Sequence, residues 1–259
     1  MGCRGLVALE VTLTGSNSDL HSGMHGGLVY NPNRALVELL AKLWDKKGRV
    51  QVKGFYDDVL ETGQDDLKKY AFRFDPKEYE REFGIHAFGG ERDRTPFEAN
   101  CFRPTLEING MYVGYLGAGT KTVIPAHATA KITCRLVPNQ DPEKIGRHVA
   151  DFLKQHVEPG IQIKVEVLSG EKAFRGDPYS ALAKAVSVAS TEACGKQCEN
   201  TLSGGSIPII AKIIDATGAD VVGMGYGLPE DNIHAPNECF DMKRFEKGFL
   251  TVARTLELL

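Results

Sequence analysis

The hydrophobic periodicity constrains this chain most, because it switches repeatedly between a period of two and a period near 3.6. Leu6 to Leu13 (LVALEVTL) is apolar and β-branched, with Gly15, Ser16 and Asn17 behind it, which predicts a strand. Asn31-Pro32 predicts a helix start, since Asn caps and Pro suits the first helical position. Leu36, Leu39, Leu40 and Leu43 then share one face. Pro104 to Met111 reads as a strand, and Thr122 to Val137 as one long strand or a strand pair. Asp141-Pro142 opens a second helix, with Ile145, Val149, Phe152 and Leu153 on one face. Ile161 to Leu168 alternates as a final strand. The order β, α, β, β, α, β is that of a ferredoxin-like unit, an antiparallel sheet with two helices on one face.

Residues 50–100 interrupt this pattern. They are charged and broken by Gly and Pro, with one short helix predicted from Pro76 to Phe83, and read as a surface excursion. The unit closes near Ser169-Gly170, so residues 4–170 form one expected domain. Residues 171–259 form another. A helix is predicted from Asp177-Pro178 to Gly195, and one from Ser206 and Pro208 to Gly218. A short buried strand follows over Ala219 to Met224, then a helix from about Asp241, with Met242, Phe245, Phe249, Val252 and Leu256 on its apolar face. That is a thin α/β layer for an independent core, and it reads as part of a larger sheet domain. The expected class is therefore α+β joined to part of an α/β domain.

Composition narrows the function. Against 34 acidic residues stand 31 Lys and Arg, a net charge of −3, so there is no basic excess for a nucleic-acid backbone. No apolar run is long enough for a membrane span, and Met-Gly-Cys-Arg-Gly lacks a signal peptide's apolar stretch. Cysteines at 3, 101, 134, 194, 198 and 239 show no CxxC pair, so reduced thiols in a cytoplasmic protein are expected. Cys194-Gly-Lys-Gln-Cys198 matches neither a common redox nor a common metal spacing.

Four places can carry chemistry. His21, in Asp19-Leu-His-Ser-Gly23, can act as a proton donor or oxyanion partner, or be a plain loop histidine. Ser203-Gly-Gly205-Ser206-Ile-Pro208 leads two glycines into a helix start, where bare N–H groups favour an anion; a tight turn capped by serine is the alternative. Gly223-Met-Gly-Tyr-Gly227 lacks the following helix that a dinucleotide fingerprint requires. Beyond it, His234 sits near Asp231 and Glu238 and can be a metal ligand, though one His does not make a site. Arg135, in an alternating strand, can fork onto a carboxylate or face solvent. A Ser206, His234, Asp231 nucleophile is conceivable, but the GxSxG elbow is absent.

The segments LEVTLTGSNSDLHSG, GFYDDV, KTVIPAHATAKITCRLVPNQDPEKI, SGGSIPI and GLPEDNIHAPNE, in this order, resemble the dizinc exopeptidases that include carnosinase-type cytosolic dipeptidases, carboxypeptidase G and desuccinylases. The resemblance implies that residues 4–170 are a lid, or dimerisation domain, and 171–259 the C-terminal part of a catalytic domain. It implies that His21 and Thr122 reach a partner subunit's site in a homodimer. Arg135, Gly205 and Ser206 would hold the carboxylate of a dipeptide or N-acyl amino acid, and His234 would bind metal. Two zinc ions, replaceable by manganese or cobalt, would serve the intact site. The remaining ligands of such enzymes lie before the lid strand, where this sequence starts. The expectation is that this chain alone holds no stable dizinc centre, is inactive, and exposes apolar surface on 171–259. A non-enzymatic dimerisation module is the alternative.

Overall fold

A computed structural model describes residues 1–233 and 235–259. Its centre is an antiparallel sheet of β1 (Gly5–Thr14), β2 (Thr105–Val113), β3 (His127–Leu136) and β4 (Gln162–Glu171), in the spatial order β2-β3-β1-β4. This is the expected ferredoxin-like arrangement. β1 and β3 pair along their whole length, from Gly5 opposite Leu136 to Thr14 opposite His127. The two-residue period of a strand puts Val7, Leu9, Val11 and Leu13 on one face, all buried.

Two helices cover that face. α1 (Pro32–Ala41) starts where Asn33 N–H donates to the Asn31 side chain at 2.9 Å. It buries Leu36, Leu39 and Leu40, and Leu43 just beyond it. α2 (Pro142–His156) is capped by Asp141, which accepts from Lys144 N–H at 2.8 Å. Ile145, Val149 and Leu153 are fully buried, while Phe152 is half-buried and stacks on His156. Gly146 brings α2 close to the sheet: a Cβ there would lie 2.6 Å from Val167 Cγ1. Thr122 to Val137 is a strand pair, since Val123–Ile124 is separate from β3 and joins Leu20–His21 instead.

Residues 50–100 are only partly a surface excursion. The helix Pro76–Phe83 forms, capped by Asp75 and ended by Gly84 in the left-handed region. The start of the segment, however, buries Val50, Val52 and Phe55 in the sheet's core. Near its end Glu91 forms a buried ion pair with Arg103 at 2.7 Å, and short helices occupy Gln64–Leu67 and Pro96–Cys101. Charge density along the sequence hides these few apolar anchors.

The C-terminal region has α3 (Ala181–Cys194), α4 (Pro208–Thr217) and α5 (Met242–Leu258). α3 starts three residues later than expected from Asp177-Pro178. Asp177 instead closes a turn by accepting from Tyr179 N–H, and Ser180 caps the helix through Ala183 N–H. Gly195 and Gly218 end α3 and α4 in the left-handed conformation. Ala219 to Met224 forms no strand, a correction to the sequence reading. Ala219 N–H bonds the Thr217 hydroxyl, Met224 is exposed, and no neighbouring strand offers a ladder among the described residues. The small sheet here is Phe174–Arg175, Gly2–Cys3 and Leu202–Ser203.

α5 forms as expected but turns its apolar stripe outward. Met242, Phe245, Phe249, Val252 and Leu256 are exposed, Phe249 to 68%. Its buried residues are Thr251 and Thr255, whose hydroxyls donate to carbonyls one turn back, so this face packs on α3 without orphaned polar groups. Apolar periodicity gives a helix's face, not whether that face is covered.

The core between the four-stranded sheet and its two helices sets the stability. Leu153→Ala is expected to cost about 2–5 kcal/mol, as for other buried Leu truncations, while Met242→Ala on the exposed stripe stays within about 0.5 kcal/mol. Urea unfolding of the two variants checks the contrast.

Candidate functional site

Two clusters form at opposite ends of the β1–β3 ladder. The first gathers Arg135, Gly205 and Ser206. Arg135 lies opposite Leu6 near the end of β3, on the face away from the helices. Its Nη1 donates to Ser206 Oγ at 2.7 Å, and that hydroxyl donates to Gly5 O at 3.2 Å. Ser206 is therefore not the cap of α4. The capping position is Ile207, without a side-chain bond; Pro208 carries no N–H, and Ile210 N–H donates back to Ile207 O at 3.2 Å. Gly205 N–H turns to Ser203 Oγ at 3.1 Å.

Arg4, which the sequence reading passed over, belongs to this cluster. Its N–H donates to Gly205 O at 2.9 Å and its Nε to Gly204 O at 2.8 Å. Its Nη1 is buried with no partner. Burial pushes the Arg4 guanidinium pKa down, and the charge of Arg135 adds to this. Neither guanidinium has a carboxylate partner among the described residues. Gly204 packs against Asn100, which would lie 2.5 Å from an added Cβ, so the helix Pro96–Cys101 helps shape the turn. The sequence signal for Arg4 is faint: one arginine just before a strand. Glu107 on the neighbouring strand acts on the Arg4 charge from a distance but bonds neither guanidinium, so two half-buried cations meet here with no direct carboxylate contact.

The second cluster contains His21 and Thr122. Leu20–His21 pairs antiparallel with Val123–Ile124, and Ser22 N–H donates to Thr122 O at 3.0 Å. Asp19 accepts from Ala126 N–H at 3.0 Å, which ties this small hairpin to the start of β3. Both His21 and Thr122 are exposed. Gly23 N–H donates to His21 Nδ1 at 3.0 Å. Residues 127 to 135 of β3 span roughly 27 Å at about 3.4 Å per residue. His21 and Thr122 lie beyond the His127 end, so one chain cannot bring them to a ligand on Arg135.

His234 lies outside the described residues. Near it, Asp231 accepts both Arg244 guanidinium nitrogens at 2.5 Å and Leu228 N–H at 2.7 Å, which hold its carboxyl down to about 2. Asp231 is thus a loop anchor. Ser206 is likewise engaged, by Arg135 and by Gly5 O. Among the described residues no group of three or more His, Cys, Asp or Glu converges to hold a metal, and no helix is long and apolar enough to cross a membrane. Gly223 to Gly227 is followed by a single 3₁₀ turn, Pro229–Asp231, as the missing fingerprint helix predicts. Cys194 and Cys198 are free thiols at and just after the end of α3.

Residues 2–161 match the peptidase dimerisation domain of the M20 peptidases. The chain belongs to the M20 metallopeptidase family. It is 27% identical to a Cys-Gly metallodipeptidase of Candida albicans, over 97% of this chain and 53% of that protein. It is 26% identical to the Beta-Ala-His dipeptidase of Homo sapiens, over 95% of this chain and 50% of that protein. The crystal structure of an M20 family metallo-carboxypeptidase from Sulfolobus solfataricus superposes with a TM-score of 0.86 at 29% identity, covering 100% of this chain and 59% of that one. The chain spans about half the length of the curated relatives it matches. The M20 resemblance read from the motifs, and the mixed α/β lid fold, both stand.

Asp231 gives this loop a pH dependence. Its carboxyl titrates lower in the folded chain than unfolded, so its contribution is complete above the ordinary carboxylate range near 3.8 and is lost as pH falls toward 2. In Arg244→Gln the Asp231 midpoint is expected to return toward 3.8, read by carboxyl ¹³C NMR titration.

Proposed function

We propose that this chain supplies the lid and the carboxylate grip of a metal-dependent exopeptidase that cleaves the amide bond next to a free C-terminal carboxylate. The observation that carries the reading is the Arg135–Ser206 contact at 2.7 Å, beside the Gly205 turn and a second guanidinium, that of Arg4, whose Nη1 is buried without a partner. A fork of charged donors at a helix N-terminus suits a carboxylate, and a grip on that group confines cleavage to chain ends. The substrate class is a dipeptide or N-acyl amino acid, in keeping with the Cys-Gly and Beta-Ala-His dipeptidases among the relatives.

In this reading residues 4–170 are the lid and dimerisation domain, and 171–259 are part of the catalytic unit. The separation of the two clusters supports a homodimer: His21 and Thr122 of one subunit would serve the carboxylate site of its partner. Arg135, Gly205 and Ser206 orient the substrate, and His21 offers a hydrogen bond at the other end of the reacting amide. The described residues do not by themselves fit a metal, since Asp231 is engaged by Arg244 and no ligand group converges. Zinc, or manganese or cobalt in its place, would draw ligands from polypeptide outside this sequence, with His234 as the ligand from this chain. Alone, the chain would hold no dizinc centre and hydrolyse nothing at a useful rate. We place the enzyme in the cytoplasm, without nucleic-acid or membrane partners.

A second reading, a non-enzymatic dimerisation module, is favoured for the isolated chain by the outward apolar stripe of α5. The two readings share the dimer. Light scattering is expected to give twice the chain mass, and a strict monomer at high concentration would sink both.

The grip is tested by NMR titration with a dipeptide and its C-terminal amide. Shifts are expected at Gly205 and Ser206 with the free acid alone, and Arg135→Gln should weaken binding by about 10- to 100-fold, the worth of a charge-assisted hydrogen bond. Equal binding of the amide would overturn the reading.

A further inference from the structure

We infer that the backbone N–H of Gly23 is a positioning group that holds His21 as the neutral Nε2–H tautomer, so that the lid presents an uncharged hydrogen-bond donor rather than a base. The identity of the acceptor, a substrate carbonyl in the partner's site, rests on the exopeptidase reading above. The tautomer rests on this chain's own geometry.

A backbone N–H can only donate. The Gly23 N–H points at His21 Nδ1 from 3.0 Å, so Nδ1 carries a lone pair. In a neutral imidazole the proton then resides on Nε2. An imidazolium has no lone pair on either nitrogen, and charging the ring breaks this bond. The backbone that carries the ring is held by the hairpin. His21 pairs with Val123, and the next residue, Ser22, donates to Thr122 O at 3.0 Å, which fixes the backbone. His21 is also the N-cap of the single turn Ser22–His25, with extended dihedrals of φ −71° and ψ 119°. Its Nδ1 thus plays the part that a Ser, Thr or Asp oxygen plays at most caps.

Glycine at 23 leaves room for the ring over its donor. Its φ is not positive, so the backbone does not demand glycine. A Cβ at this position would stand 2.9 Å from His21 Cε1 and 3.2 Å from Nδ1. Any side chain would push the ring off its donor. Nε2 has no acceptor among the described residues, and the residue is exposed at the tip of the hairpin. A neutral N–H donor stabilises a carbonyl oxygen gaining negative charge without giving up its proton, the role a neutral histidine plays in other carbonyl chemistry.

The test uses ¹⁵N-labelled chain at about pH 8, above the range in which an ordinary imidazole charges. Two readouts are taken: the one-bond-type assignment of the two ring nitrogens, and the scalar coupling across the N–H···N bond between Gly23 N and His21 Nδ1. His21→Gln identifies the resonances. Nδ1 is expected at the unprotonated position, Nε2 at the protonated one, with the coupling present. In Gly23→Ala the coupling should vanish and the two nitrogens should move to averaged shifts, while amides outside residues 19–26 stay in place. Gly23→Pro, which removes the donor outright, should do the same. A protonated Nδ1, or no coupling in the unaltered chain, overturns the inference and leaves the carboxylate titration untouched. The coupling present with a failed carboxylate titration upholds the tautomer lock and removes the exopeptidase reading.

Discussion

The structure depends on a backbone crossing at Gly5, where the first long strand enters the sheet. A Cβ there would lie 2.4 Å from Glu171 O and 2.6 Å from Ala173 N, so the entering and leaving segments of the lid touch main chain to main chain. Glycine is required for this approach. The carbonyl of the same residue receives the Ser206 hydroxyl, and its neighbour Arg4 holds the carbonyls of Gly204 and Gly205. One point of close contact therefore fixes both the lid's connection to the C-terminal region and the turn that makes the anion site.

From that crossing, β1 acts as a ruler. Its ten-residue pairing with β3 sets Arg135 at one end and the His21–Thr122 hairpin past the other. Antiparallel pairing is stiff, and the helices α1 and α2 clamp it from one side, so the separation of roughly 27 Å is not closed by side-chain motion. A site that needs both clusters must be assembled from two subunits. In the proposed homodimer, joining subunits and sharing the chemistry would both follow from this one dimension of the sheet.

The lid was legible because its signals are local and agree. Asn31 and Asp141 cap the helices they precede, Pro125 breaks 122–137 into two strands, and the apolar faces of α1 and α2 meet those of β1 and β3. What the sequence hid is relational. Val50, Val52 and Phe55 are too few to stand out in a charged segment, yet they enter the core. Ala219 to Met224 has a strand's composition but no neighbour to pair with. Arg135 and Ser206, each singled out in the sequence, meet in the fold, whereas Arg4 is defined only by what the fold places against it. An arginine's meaning lies in its neighbours, and those are a property of space.

The two regions also differ in how far they satisfy themselves. Every residue of the main core cluster lies between Val7 and Ile161. The apolar residues buried beyond the lid are Ala183, Ala185, Val186, Ala189, Ile210 and Ala211, mostly alanines that remove little area from water. Meanwhile Ile207, Ile209 and Ile213 of the α4 segment and the stripe of α5 stay outside. An apolar face of that extent marks an interaction surface. The paired charges of Arg4 and Arg135, which no carboxylate contacts directly, sit beside α4, the helix whose isoleucines are uncovered. Both deficits, one of counter-charge and one of apolar contact, belong to the same side of the molecule, which ties the anion site to the surface that needs a partner.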